Sequence, residues 1–467
     1  MNLALSLLYA AERTPLAEAV VGERERLGFA HLRERAARIA SGLAERGVAR
    51  GDRVACVLAN EPETVQLYWG CQWLGACFVP LSHRASQEDL DYCIEDSGAK
   101  VVVREADEVT QLVGVDKHPG AVDLDEDAAS IQLYTSGTTG RPKGVPRSHR
   151  AERAAGLSQV VQHGLRHGHR TLGVMPLYHT MGVHSLIAAS LVGGCYVAQP
   201  AWNGGAALQV IEDERITSLY LAPTLFYDLV HDPALGRFDT SSVRAIAYAG
   251  APMPSSLAED VAAAFDPEIF VNHYGSTEIY TFSVHRDQRA KPGCAGRPAL
   301  NARLRLDPPG EGEILCHMGS DEAFSGYWNR PDADAKAIHD GWYHTGDVGR
   351  LDEDGDLWVV GRVDDMIISG GENIHPVEVE DVLARAPGVR EVAVVGAPDE
   401  RWGQRVVACV VAEDGVTAEQ LDAHCLASRT LARFKRPREY RFVPELPKSP
   451  SGKILRRMLR VPGPDEA

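Results

Sequence analysis

Residues 134–144 read YTSGTTGRPKG. Glycines and short hydroxyl side chains crowd ahead of Lys143, which is the composition of a loop whose backbone N–H groups and hydroxyls wrap phosphate oxygens. A Walker A loop needs four residues between its first glycine and a Gly-Lys-Ser/Thr ending. Here Gly137 is followed by Thr138, Thr139, Gly140, Arg141, Pro142, Lys143 and Gly144, and Pro142 stands where a Walker helix would begin. The spacing therefore excludes a Walker-type NTPase. Read alone, the stretch also suits a Ser/Thr/Gly surface turn.

The flanking sequence supplies a frame for the loop. AHLRERAARIASGLAERG has apolar residues at helical spacing, and DRVACVL reads as a short buried strand. ETVQLYWGCQWLGA, CFVPL, QEDLDYCIEDSG and AKVVV continue the alternation of helix and strand. Beyond the loop, TLGVMPL, CYVAQP, ITSLYLAP, RAIAYAGAP and EIFVNHYGS are strand-like segments between helices. Such alternation predicts an α/β fold with parallel sheets covered by helices. Near residue 300 the texture changes: ARLRLDPPGEGEILCH and GDLWVVGR read as hairpin strands of a small β-barrel-like subdomain. DEDGD at 352–356 lacks the ligand spacing of a calcium loop and reads as a hairpin turn. From residue 364 a compact αβ segment of domain size follows. The expected division is an N-terminal domain over 1–363 and a small, mobile C-terminal domain over 364–467.

The 467 residues carry a net charge of −17, which argues against duplex nucleic acid as the main partner. Nine scattered cysteines without a CxxC pair suggest a reducing compartment, and the cytoplasm is expected. The N-terminal MNLALSLLYAAERTP reads as an amphipathic helix, and no apolar run is long enough to span a bilayer. HGLRHGHR at 163–170 has three histidines but no carboxylate or cysteine cluster near it, and reads as a polar loop before a strand.

Four further segments carry chemistry. NHYGSTE at 272–278 follows a buried strand and places Glu278 where a carboxylate can hold Mg²⁺ against phosphates. In WYHTGD at 342–347, Asp347 can accept both hydroxyls of a ribose, or be an ordinary turn aspartate. GRVDDMIISGGENIHP at 361–376 pairs an adjustable Gly370-Gly371 with Asp364 at the domain boundary. LPKSPSGKILRR at 446–457 offers Lys453 in a Pro/Ser/Gly loop ahead of a basic helix, or else a solvated basic tail.

Taken together and in this order, these segments resemble the adenylate-forming superfamily of acyl-CoA synthetases, peptide-synthetase adenylation domains and luciferases. With MPLYHTMG at 175–182, DERWGQ at 399–404 and FKRP at 434–437, the chain looks most like bacterial aryl-CoA ligases of the chlorobenzoate type. The resemblance implies two half-reactions: a carboxylate attacks the α-phosphate of ATP, then a thiol captures the acyl-AMP. It implies that Thr135, Ser136, Gly137, Thr138, Thr139, Gly140 and Lys143 cradle the phosphates. Glu278 would hold Mg²⁺. Tyr274, Gly275, Ser276 and Thr277, with Ala249, Gly250 and Ala251, would line the AMP site. Asp347, assisted by Arg362, would bind ribose, and Lys453 would bridge the carboxylate and the α-phosphate. His179 would lie beside the substrate carboxylate, in a pocket completed by Thr180, Met181, Tyr220, His273, Gly275, Tyr280 and Thr281. Arg84, Gly371, Trp402, Phe434 and Arg436 would hold CoA, and Asp364 would be the hinge.

Two departures from the family pattern stand out. The segment between AKVVV and the phosphate loop is short, and Ser276 stands where many relatives carry Thr or Met. The implied pocket is polar, and burying His, Tyr and Thr without partners is costly. A hydroxy- or amino-substituted benzoate-like acid is therefore expected over a halogenated or alkyl one. The sequence leaves open a carrier protein or an amine as acceptor, and a homodimer. A nucleotide-binding regulator with a decayed site is disfavoured by the presence of Lys143, Glu278, Asp347 and Lys453.

Overall fold

Parallel pairing dominates the first two sheets of the computed structural model, which describes residues 2–120, 124–135, 141–448 and 454–460. A nine-stranded sheet is parallel through its centre, where the strands Ala245–Tyr248 and Ile269–Tyr274 are neighbours. Antiparallel strands close it at both edges. A five-stranded sheet places Arg53–Cys56, Cys77–Pro80 and Ala129–Thr135 side by side in parallel, then adds Lys143–Ser148 antiparallel. A third, antiparallel sheet holds Glu311–His317, Trp342–Leu351 and Leu357–Arg362. A fourth, separate sheet is built around the long hairpin of Val389–Asp399 and Gly403–Ala412. The result is a large N-terminal α/β domain followed by a smaller αβ one.

Helix chemistry explains the layering. Phe29–Glu45 buries Phe29, Leu32, Ala36, Ile39, Ala40 and Leu43, one stripe at three- and four-residue spacing. Pro62–Leu74 buries nearly its whole circumference, including Tyr68 and Trp69 at 0 % exposure, because it runs between layers. Each such side chain contributes roughly 1.5–3 kcal/mol by leaving water. Its end is set by Gly75, whose φ of 84° is left-handed backbone that glycine adopts without strain. All nine cysteines are buried and unpaired. Among the described residues no helix is long and apolar enough to cross a membrane.

The turn at 352–356 links Trp342–Leu351 to Leu357–Arg362, as its sequence suggested. Its carboxylates are occupied by a lysine: Lys291 Nζ lies 3.1 Å from Asp352, 2.6 Å from Asp354 and 2.6 Å from Asp356. Two sequence expectations are corrected. HGLRHGHR is a loop before the strand Arg170–Gly173, as read, but not a wholly polar one, since His163 and His169 are buried. The segment after Lys453 forms only one 3-10 turn, Arg456–Met458, among the described residues.

Candidate active site

The YTSGTTGRPKG segment is the connection between two antiparallel strands, with Thr135 opposite Lys143. Ser136, Gly137, Thr138, Thr139 and Gly140 lie outside the described residues, as does Lys453. At the near end of the connection the Thr135 hydroxyl is buried with no partner among the described residues, a cost unless a ligand oxygen meets it. At the far end the Lys143 ammonium sits 4.1 Å from the centroid of the Tyr327 ring. Burial draws the Lys143 pKa below its ordinary value, while Glu278 pulls the other way.

Glu278 is fixed from three directions. The Tyr327 hydroxyl donates to its Oε1 at 2.7 Å. The Ser276 hydroxyl accepts from the backbone N–H of Glu278 and of Ile279, folding the loop after Ile269–Tyr274 back on itself. Gly275 permits that fold, because a Cβ there would lie 1.8 Å from the Tyr280 carbonyl oxygen. From below, Arg147 Nη1 donates to the carbonyls of Thr277 and Glu278 at 3.2 and 3.1 Å. Arg147 is fully buried, and Glu152 accepts from its Nε at 2.6 Å. Breaking so buried a pair would leave an uncompensated charge, and the Nη1 of Arg147 is the donor that holds the loop. Tyr327 and Arg147 were not singled out from the sequence. Tyr327 is 49 residues from its partner and lies in no motif.

The turn alternative for Asp347 is excluded, since it lies inside the ten-residue strand Trp342–Leu351. The Tyr274 hydroxyl donates to its Oδ2 at 2.6 Å and Arg362 Nη1 donates to its Oδ1 at 2.9 Å. Burial and then the Asp347 charge push the Tyr274 pKa up, so the phenol keeps its proton. Burial opposes the charge of Arg362, but Asp347 leaves its pKa raised. Ala249, Gly250 and Ala251 follow the neighbouring parallel strand Ala245–Tyr248, with Gly250 at φ 84°. Both loops thus leave the carboxyl ends of adjacent strands, the usual ligand crevice of open α/β sheets. Two series of contacts result, one from Lys143 through Tyr327 to Glu278 and one from Tyr274 through Asp347 to Arg362.

His179 caps the helix Thr180–Leu191, its Nδ1 accepting from the backbone N–H of Met181 at 3.3 Å. In the neutral ring the proton therefore belongs to Nε2. The preceding loop is held by Asn60, which donates to the carbonyls of Gly173 and Met175 and accepts from Leu177 N–H. Of the other expected pocket residues, Tyr220 and His273 stand with ring centroids 5.4 Å apart. Met181, Tyr280 and Thr281 are buried, and Thr180 follows His179 at the helix start. The structure adds two histidines that the sequence did not place in the pocket. His163 Nε2 meets His273 Nδ1 at 3.0 Å, and the His184 ring packs 3.9 Å from that of Tyr280. Because His273 Nε2 faces the Tyr280 carbonyl at 3.1 Å, it must donate there. His273 Nδ1 is then bare and His163 Nε2 donates to it. Burial, foremost, holds both rings neutral, with the His273 pKa down to about 4.

The residues expected to hold CoA are on the surface: Trp402 and Phe434 are 42 % and 44 % exposed. Gly370 N–H donates to the Trp402 carbonyl, and a Cβ on Gly370 would lie 2.7 Å from the Trp402 ring. Gly371 follows at φ 88°. Arg436 lies 3.4 Å from Asp422. No hydrogen bond or ring contact joins Arg84 to these groups among the described residues. Asp364 sits in the exposed turn Val363–Asp365, and its carbonyl accepts from Arg460 at 2.8 Å. The Ser255 hydroxyl donates to Asp381 at 3.0 Å, joining the helix Ser255–Phe265 to Pro376–Leu383 of the smaller domain.

This chain belongs to the AMP-binding enzyme family: the family profile matches residues 7–328, and that of the AMP-binding enzyme C-terminal domain matches residues 378–453. It is 36 % identical to a feruloyl-CoA synthase of an Amycolatopsis species over 96 % of each chain. It is 34 % identical to a 4-chlorobenzoate–CoA ligase of an Arthrobacter species, over 97 % of this chain and 93 % of that one. Among solved structures it resembles the o-succinylbenzoate coenzyme A synthetase of Bacillus subtilis in complex with ATP and magnesium. There the TM-score is 0.86 at 29 % identity, with 97 % of this chain and 98 % of the other covered.

Proposed function

We propose that the protein is an ATP-dependent, AMP-forming ligase that joins a small aromatic acid to CoA through an acyl-adenylate. The observation that carries this reading is the series of contacts linking Lys143, Tyr327 and Glu278, with Tyr274, Asp347 and Arg362 alongside. Phosphoryl and nucleotidyl transfer call for positioning and charge neutralisation more than covalent help. Lys143 and the buried Thr135 hydroxyl, unpartnered among the described residues, suit phosphate oxygens. Glu278, an anchored carboxylate, suits Mg²⁺, a hard cation that takes oxygen ligands. Asp347, held by two donors, keeps lone pairs for ribose hydroxyls. Lys453 would neutralise the charge that grows on the carboxylate and the α-phosphate.

The domains divide at Asp364, into 1–363 and 364–467, and the smaller one turns between half-reactions. That turn withdraws Lys453 and brings Gly371 toward the acyl-AMP, with Trp402, Phe434, Arg436 and Arg84 receiving CoA. The aromatics are exposed and suited to stacking on a base, and the arginines to pairing with phosphate. The buried polar groups around His273 favour a hydroxy- or amino-substituted acid. The unpaired thiols fit the cytoplasm.

Pyrophosphate and AMP release, measured across aryl and alkyl acids with and without CoA, tests this reading. Turnover of alkyl or halogenated acids alone would refute the acid class. AMP release with a carrier protein but not with CoA would refute the acceptor. Asp347→Asn is expected to lower kcat/KM for ATP about 10- to 100-fold, since a charge-assisted hydrogen bond contributes about 1.5–3 kcal/mol. Initial rates with ATP varied at saturating acid would show the loss falling mainly on KM, as for an interaction made equally in ground and transition states.

A further inference from the structure

We infer that His184 reads a hydroxyl group on the aromatic ring of the acid, and so sets which aryl acids the enzyme accepts. The inference rests on the ligase reading above and narrows it. His184 lies one helical turn beyond Thr180 and Met181, on the helix capped by His179. It is 1 % exposed, and neither ring nitrogen has a hydrogen-bond partner among the described residues. A buried polar group left unpaired costs about 1–3 kcal/mol, so an imidazole with both nitrogens unmet calls for a partner that arrives from outside the fold.

The surroundings say where that partner comes from and what it is. The His184 ring packs against Tyr280, 3.9 Å between centroids, and lies 6.1 Å from the ring of His273. Both neighbours belong to the proposed acid pocket. The nitrogens of His273 are already used by His163 and by the Tyr280 carbonyl, so that histidine offers a substrate little. His184 is the histidine with capacity to spare. Burial, foremost, with the Arg147 charge nearby, keeps its ring neutral. A neutral imidazole presents one donor and one acceptor. A phenolic hydroxyl can answer either nitrogen, because it both donates and accepts. A halogen or an alkyl group does neither well. The Arg147 guanidinium, 3.5 Å from the centroid of the Tyr280 ring, tells against a cationic substituent.

The test uses the full chain with ATP, Mg²⁺ and CoA. Pyrophosphate release is measured for each hydroxybenzoate and hydroxycinnamate isomer, for its deoxy parent, and for the chloro and amino analogues. A site built to bond a hydroxyl rejects the analogue lacking it, so at least one hydroxy acid is expected to exceed its parent in kcat/KM by about 100-fold. In His184→Phe that ratio should fall at least tenfold. His184→Gln, which keeps a donor and an acceptor, should retain most of the preference. Because the readout is a ratio between two acids on one preparation, partial misfolding of a variant cancels. A ratio unchanged in both variants, or a wild-type preference for the parent, chloro or amino acid, would overturn the role of His184 while leaving the ligase reading intact. Absence of pyrophosphate release with every acid would overturn both.

Discussion

Lys453→Ala is expected to slow formation of the acyl-adenylate by about 100- to 1000-fold, the loss that follows removal of one preorganised group stabilising transition-state charge. Attack of the acid on the α-phosphate brings two anions together. A single ammonium between them acts on the transition state more than on either ground state, so the loss should fall on kcat. The second half-reaction should be nearly untouched if, as proposed, the small domain has by then carried the lysine away. Single-turnover measurements separate the steps: ATP with acid for the first, chemically made acyl-AMP with CoA for the second. Equal losses in both would remove the lysine from its proposed role and the domain rotation with it.

Glu278→Gln should be the next most damaging change, with pyrophosphate release reduced about 100-fold, again within the range for a single electrostatic contact. The amide keeps an acceptor for the Tyr327 hydroxyl and the same volume, so the loop should stand while the charge is lost. Raised Mg²⁺ should restore part of the rate, which a purely structural defect would not allow. Tyr327→Phe removes only the bond that aims the carboxylate. A hydrogen bond to a carboxylate contributes about 1.5–3 kcal/mol, but the charge itself remains, so a loss of about tenfold, at the low end of that range, is expected. A Tyr327→Phe loss as large as that of Glu278→Gln, without response to Mg²⁺, would show that the carboxylate does not act on the metal.

Much of the fold was legible along the chain because its signals are local. Short apolar runs alternating with helical stripes announced parallel sheets, and the strands Arg53–Cys56, Cys77–Pro80 and Ile269–Tyr274 lie where those runs stand. The hairpin at 352–356 followed from its turn residues. Motif residues could be named because loops such as YGSTE owe their shape to neighbours in sequence: Gly275 for a close backbone approach, Ser276 for two backbone N–H groups.

What the chain could not disclose by itself is the company its side chains keep. His163 and His273 are 110 residues apart, and Arg147 reaches the carbonyl of Glu278 across 131. HGLRHGHR looked polar because histidine is ambiguous until its surroundings are known; burial made His163 a donor within the core. The sequence by itself determined the sheets, the order of the loops and the residue types available for phosphate and metal chemistry, since these depend on periodicity and local backbone geometry. Only the tertiary structure decided that Tyr327 aims Glu278, that Arg147 braces its loop, and that His184 is unmatched among the described residues. Those outcomes depend on which surfaces pack together, and packing is a property of the whole domain.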